Sequence, residues 1–144
     1  MKKLFIILLL PLSIYSQSTQ KQIDSLRYYM HKELNEYRAE YKLKPFEISD
    51  SLNKLAKLWS EKMYNTNEFK HSIYGDRENI LSRNNYITTC KEFSYWTLYH
   101  WKNSPGHNRN LTNNDCTHIG YGFYKGYAVQ IFENQDPYNW LKNL

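Results

Sequence analysis

The chain has little of the residues that usually mark a small domain's architecture at a glance. Its 144 residues include two cysteines, four prolines and five glycines. Two cysteines exclude a disulfide-dense scaffold, and their spacing is not the Cys-x-x-Cys of ribbon-type metal sites or redox motifs. No apolar run approaches the roughly 18 residues needed to cross a bilayer, so no stable membrane span is expected. There is no His-Glu-x-x-His, no internal repeat and no low-complexity segment. Basic residues outnumber acidic ones by 19 to 14, with a sequence pI near 9.1. They form no basic stripe and interleave with no stacking motif, which excludes nucleic acid as the expected partner.

What is there begins with a leader. Met1-Lys2-Lys3 precedes the apolar run Leu4 to Leu12, and small and polar residues follow. A basic start, a short hydrophobic stretch and a polar exit form a signal-peptide pattern, with a retained amphipathic anchor as the alternative. Residues 1–16 are read as the leader and 17–144 as one domain, a length that suits a single core. No cysteine follows the apolar run, which argues against a lipid anchor. Removing the leader takes Lys2 and Lys3 with it and leaves a net charge of about +3. The expected location is secreted or periplasmic. An even cysteine count in an exported chain suggests a Cys90–Cys116 disulfide, worth about 3.5 kcal/mol if formed. Two free buried thiols, or a soft metal site shared with a histidine, are the alternatives.

Hydrophobic periodicity lays out the elements. Ile23, Leu26, Met30, Leu34, Tyr37 and Tyr41 step by three and four, predicting a helix from 18 to about 42 that Pro45 ends. Ser49-Asp50-Ser51 offers the cap for a second helix carrying Leu52, Leu55, Ala56, Trp59 and Met63 as core. A third helix is predicted over 90–103, with Phe93, Trp96, Thr97, His100 and Trp101 on one side, His100 as a core histidine and Glu92 as a first-turn acid. Residues 117–124 and 127–132 alternate as strands, and Lys125-Gly126 makes the hairpin connection. Gly120 and Gly122 leave one strand face bare, expected beneath a cleft. His118 has no motif behind it. The tail suggests a turn at Asp136-Pro137 and a docking pair Trp140-Leu141.

Three stretches carry chemistry. In Ser104-Pro105-Gly106-His107-Asn108-Arg109-Asn110-Leu111, Ser104 is placed to cap a helix and Pro105 fits its first position. His107 then lies in the first turn, where the helix dipole disfavours a charged imidazole. Gly106 leaves room for close approach. Upstream, His71 precedes Glu78-Asn79-Ile80, with Gly75-Asp76 between them to fold the two side chains into one cleft. Downstream come Gly120 and Gly122.

Taken in this order, the stretches resemble the CAP superfamily, also called SCP/TAPS or pathogenesis-related-1-like, in its secreted bacterial form. His71, the Gly75-x-x-Glu78-Asn79-Ile80 run, Trp101 before Ser104-Pro105-Gly106-His107, and Gly120-x-Gly122 carry the likeness over roughly residues 26–132. Asn35 and Arg38 resemble the Asn-x-x-Arg of the family's first helix. The resemblance implies an α+β fold, an α-β-α sandwich with a small, mainly antiparallel sheet between helices. It implies a cleft holding His71 and His107 as metal ligands and Glu78 as ligand or catalytic base, with Asn79, Ser104 and Gly106 in structural roles. The family's second acid is missing: the corresponding position after the helix tryptophan is Ser104 or Tyr99. Two imidazoles and a carboxylate are a plausible Zn²⁺ set with a position open for water. The family's functions point to an extracellular binding module whose ligand is a lipid or sterol. A metal-assisted hydrolase using His71, His107 and Glu78 is the alternative.

Overall fold

A computed structural model describes residues 13–74, 77–83 and 89–135, with side chains from residue 20 onward. The expected leader, the Gly75-Asp76 turn and the tail turn and docking pair lie wholly or mostly outside these residues. The elements run α1 (Ser13–Glu40), β1 (Glu47–Ile48), α2 (Asp50–Thr66), β2 (Glu78–Ser82), α3 (Cys90–Lys102), α4 (Pro105–Leu111), β3 (His118–Tyr124) and β4 (Tyr127–Glu133). The strands form one sheet in the order β1-β3-β4-β2, with β1 parallel to β3 and the other pairs antiparallel.

Alternation along β3 and β4 divides the core between the two sheet faces. Ile119, Tyr121, Phe123, Ala128 and Phe132 pack with Met30, Leu34 and Tyr37 of α1 and Phe93, Leu98 and Trp101 of α3. Val129 and Ile131 face the other way, onto Leu52, Leu55, Ala56, Trp59 and Met63 of α2. Helices therefore cover both faces of a mixed sheet, and the fold is the expected α+β sandwich.

The end of α1 differs from the expectation. Pro45 does not stop the helix; a Schellman turn does so earlier. Lys42 takes the left-handed conformation (φ 57°), and the Leu43 and Lys42 amides bond back to the Arg38 and Ala39 carbonyls. Tyr41 is consequently thrown out of the apolar stripe and is 53% exposed. Arg38 goes the other way, wholly buried. Its guanidinium donates to the carbonyls of Lys44, Leu111 and Asn113 at 2.8 Å and lies 3.6 Å over the Phe46 ring. Asn35 exchanges two hydrogen bonds with the Phe46 backbone. The Asn-x-x-Arg signature thus ties α1 to the loop before β1 and to the segment after α4.

The bare face of β3 does not lie beneath a cleft. A Cβ on Gly120 would come well inside 3.0 Å of Leu52 and Asn53 backbone, and one on Gly122 equally close to Ala56. Those glycines let α2 lie directly on the strand. Because β1 is only two residues long, the Tyr121 amide bonds instead to the Asn53 side chain at 2.8 Å. The β3–β4 turn needs positive φ at both central positions, Lys125 (42°) and Gly126 (88°).

Two other expectations fail. Cys90 and Cys116 are both free. Cys90 opens α3, with its thiol 3.7 Å from the Gln22 carbonyl and beside the β3–β4 turn, whereas Cys116 lies buried before β3 begins. The length of β3 separates them, roughly 20 Å at strand rise, against the 4.4 to about 7 Å between Cα atoms that a disulfide spans. His100 is exposed rather than core, its ring 4.0 Å from that of Trp96.

Gly122→Ala should destabilise the protein by about 3 kcal/mol or more, since the added methyl meets helix backbone rather than a movable side chain. Thermal unfolding followed by circular dichroism would read this as a melting point lowered by roughly 10 °C. Gly106→Ala, whose new methyl would meet only the Arg109 side chain at 3.9 Å, is the control and should unfold like the wild type.

Candidate functional site

The site lies where the start of edge strand β2, the short helix α4 and the loop after α2 meet. The loop is anchored from below by the Trp59 indole, which donates to the Lys70 carbonyl at 2.8 Å. The next residue is His71. Glu78, the first residue of β2, is paired in the ladder with Ile131, and its side chain is 2% exposed. One carboxylate oxygen accepts from the Ser72 amide at 2.9 Å and from His71 Nδ1 at 2.8 Å. A carboxylate only accepts, so Nδ1 carries the proton and Nε2 of the exposed His71 ring is left as a free lone pair. The other carboxylate oxygen of Glu78 is buried without a hydrogen-bond partner among the described residues.

Helix α4 starts with Ser104 in the cap position and Pro105 in the first turn, but the Ser104 hydroxyl makes no capping bond. Asn103 closes α3, and Ser104 starts α4 by its extended backbone conformation alone. What holds α4 is amide chemistry from β2. Asn79 is fully buried; its side-chain amide donates to the His107 carbonyl and to Gln130, both at 3.3 Å. Asn110 donates to the Asn79 side chain at 2.9 Å and to the Glu78 carbonyl at 3.2 Å.

These ties place His107 opposite His71, with Trp101 behind it at 6.2 Å between ring centroids. Burial holds the His107 pKa below its ordinary 6.5, and the neighbouring His71 lowers it further. Desolvation is the larger cause and the like charge the smaller. His71, Glu78, Ser104, Gly106 and His107 all line one open cleft of about 420 Å³. Arg109 and Asn110 complete its wall. Neither stood out in the sequence, although both lie in the same octapeptide. Gly106 is exposed and faces open space, so its lack of a side chain widens the cleft mouth rather than admitting a packed neighbour.

No group of three His, Cys, Asp or Glu among the described residues converges closely enough to hold a metal ion. Among the described residues, no second acid joins Glu78 in the cleft lining. His118 stands outside the cleft, bonded to the Thr117 hydroxyl at 2.8 Å and 3.7 Å from Glu47. The described helices include none long and apolar enough to cross a membrane.

Comparison with known proteins agrees with this architecture. Residues 31–134 match the family model described as CAP, the cysteine-rich secretory protein family. A protein of Borreliella burgdorferi is 30% identical over 149 aligned positions, covering 94% of this chain and 92% of its own. YkwD of Bacillus subtilis is 28% identical over 105 residues, and the chain spans only 41% of its length. An outer surface protein of Borrelia burgdorferi has a similar fold, with a TM-score of 0.62 at 22% identity over 78% of this chain and 94% of that one. An extracellular SCP-domain protein of Bacillus anthracis gives a TM-score of 0.65 at 19% identity, covering 88% of this chain and 44% of that one. The match spans the sheet, α2, α3, α4, the last ten residues of α1 and every residue of the cleft, and the chain belongs to the CAP, or cysteine-rich secretory protein, family.

Proposed function

We propose that this CAP domain is an extracellular binding module whose cleft seats a divalent metal between His71 and His107. The observation that carries the reading is the 2.8 Å pairing of His71 Nδ1 with the buried Glu78. A carboxylate behind one ring nitrogen fixes the tautomer, orients the ring and raises the basicity of the other nitrogen, as in carboxylate–histidine–metal arrangements. His107 supplies the second imidazole, and desolvation favours the neutral form that a metal requires. An extracellular setting is supported by similar proteins described as outer-surface, extracellular or secretory.

In this arrangement Glu78 positions His71 rather than ligating. One of its oxygens is already engaged by His71 and Ser72. The chain then offers two protein ligands where catalytic zinc sites generally have three, which favours reversible binding over the metal-assisted hydrolase. A bound Zn²⁺ would supply Lewis acidity and open coordination positions to a ligand's oxygen or nitrogen. The lipid or sterol part of the proposal rests on a separate groove of about 570 Å³ between α1, α3 and the β3–β4 turn, lined by Ile23, Leu26, Phe93 and Phe123. A fatty-acid or sterol probe seated there would be indifferent to chelator.

Calorimetric titration of the full chain with Zn²⁺ at pH 7.5 should give binding that His71→Ala and His107→Ala each abolish. Glu78→Gln should weaken it by about 10-fold or more, the usual effect of losing a carboxylate behind a ligating histidine. No Zn²⁺ binding by folded wild type would end the metal reading.

Acid should also act on the fold. His31 and His107 both have folded-state pKa values lowered by burial, so below about pH 6.5 the unfolded chain binds more protons than the folded one. Their neutral forms cost nothing above that pH, and stability is lost as pH falls through it. Melting temperatures between pH 7.5 and 5 should therefore fall in wild type and fall less in His107→Gln.

A further inference from the structure

Further along the same helix pair from the apolar groove, α1 and α3 present two matched stripes. Glu33, Glu36, Tyr37 and Glu40 stand at helical spacing on α1, facing Tyr95, Leu98, Tyr99 and Lys102 on α3. Together they form an open groove of about 260 Å³. Three carboxylates and three phenol rings thus surround one concavity.

The groove is unusual in what it leaves unsatisfied. Glu33 is 7% exposed, and its Oε1 is buried with no hydrogen-bond partner among the described residues. The Tyr95 hydroxyl bonds to the same carboxylate, and burial still pushes the Glu33 pKa above the ordinary carboxylate range. A half-paired buried carboxylate is costly unless a cation completes it.

Among the described residues, no cation does so. Lys102 lies 4.0 Å over the Tyr37 ring and Lys91 lies 5.6 Å from Tyr95. Both are near enough to be felt by Glu33, but neither makes an ion pair with it. Glu36 reaches outward to Lys32 at 3.8 Å. Meanwhile Tyr95 and Tyr99 are 51% and 64% exposed, large aromatic rings held on a rigid helix.

We propose that this groove is a docking site for an arginine side chain from a basic segment of a partner protein. A planar guanidinium can donate in a fork to a carboxylate while its face lies against a phenol ring, and it is weakly enough hydrated to enter a half-buried site. Charge complementarity selects the partner: three glutamates and one lysine line the groove, and although Lys32 and Lys91 flank it, the Glu33 carboxylate, without an ion pair among the described residues, repels an acidic segment and attracts a basic one. Exposed tyrosines around a buried charged anchor match the composition of protein-recognition surfaces. This site shares no residue with the histidine cleft and stands whether or not that cleft binds metal.

The test is an NMR titration of the isotope-labelled full chain with an acetylated, amidated hexapeptide of alternating arginine and glycine, beside the same peptide with citrulline for arginine. Citrulline keeps the shape and removes the charge. The arginine peptide should saturate below about 1 mM, shifting signals of Glu33, Tyr95 and Tyr99, with the Glu33 carboxyl titration moving down toward its ordinary range. Glu33→Gln should weaken binding about 10-fold, and Tyr99→Ala, which removes an exposed ring and leaves the fold intact, should weaken it too. Equal binding of the citrulline peptide would overturn the proposal. So would shifts centred on His71 and His107, unchanged affinity in both variants, or no shift at about 10 mM peptide.

Discussion

The cleft depends on one buried amide, that of Asn79. Its neighbour Glu78 points to one side of β2 and Asn79 to the other, by the ordinary alternation of a strand. From there its carbonyl takes the Asn110 amide, and its own amide group reaches the His107 carbonyl. A seven-residue helix is too short to hold itself, so α4 owes its position to these bonds and to Arg38, which takes the carbonyl of Leu111 at its far end. Each such bond nets only about 1 kcal/mol, but leaving a buried partner unsatisfied costs about 1–3 kcal/mol. That asymmetry makes the arrangement hard to loosen one bond at a time. The two histidines can therefore come from distant parts of the chain and still face each other.

Behind this polar seam, the two sheet faces have different work. The α2 face is an apolar seal, laid so close to β3 that two glycines are required beneath it. The opposite face carries the larger aromatic core and also the polar ties that run from α1 to the ends of α4. Tyr37 shows the two functions joined in one residue. Its ring is core, while its hydroxyl bonds to Asn108 at 2.9 Å, adjacent to His107.

Much of this was legible in the sequence, for identifiable reasons. The three long helices were visible because their apolar residues recur at helical spacing. The Ser49 cap was visible because a hydroxyl before an apolar stripe has few other uses, and it does accept from Leu52 at 3.1 Å. The pair of strands around Lys125-Gly126 was visible through alternation and a glycine. What was hidden was hidden physically. β1 is two residues long and exposed, with no pattern to read. The Schellman turn at Lys42 puts a non-glycine residue in a glycine's conformation. Ser104 looks like a side-chain cap, but only its backbone acts as one. An even number of cysteines says nothing about which ends of a strand they occupy. The roles within the cleft were obscured for a further reason. The hydrogen-bond partners of Glu78, an imidazole nitrogen and a backbone amide, lie seven and six positions upstream in a loop with no periodic pattern to read.

The unlinked thiols have a wider consequence. With the length of β3 between Cys90 and Cys116, no part of the folding free energy derives from a covalent crosslink, and none of it varies with ambient redox potential. Burial pushes the Cys116 thiol away from its reactive thiolate form, which further insulates the core from oxidants. A domain built this way completes its core without an oxidation step between its own two cysteines.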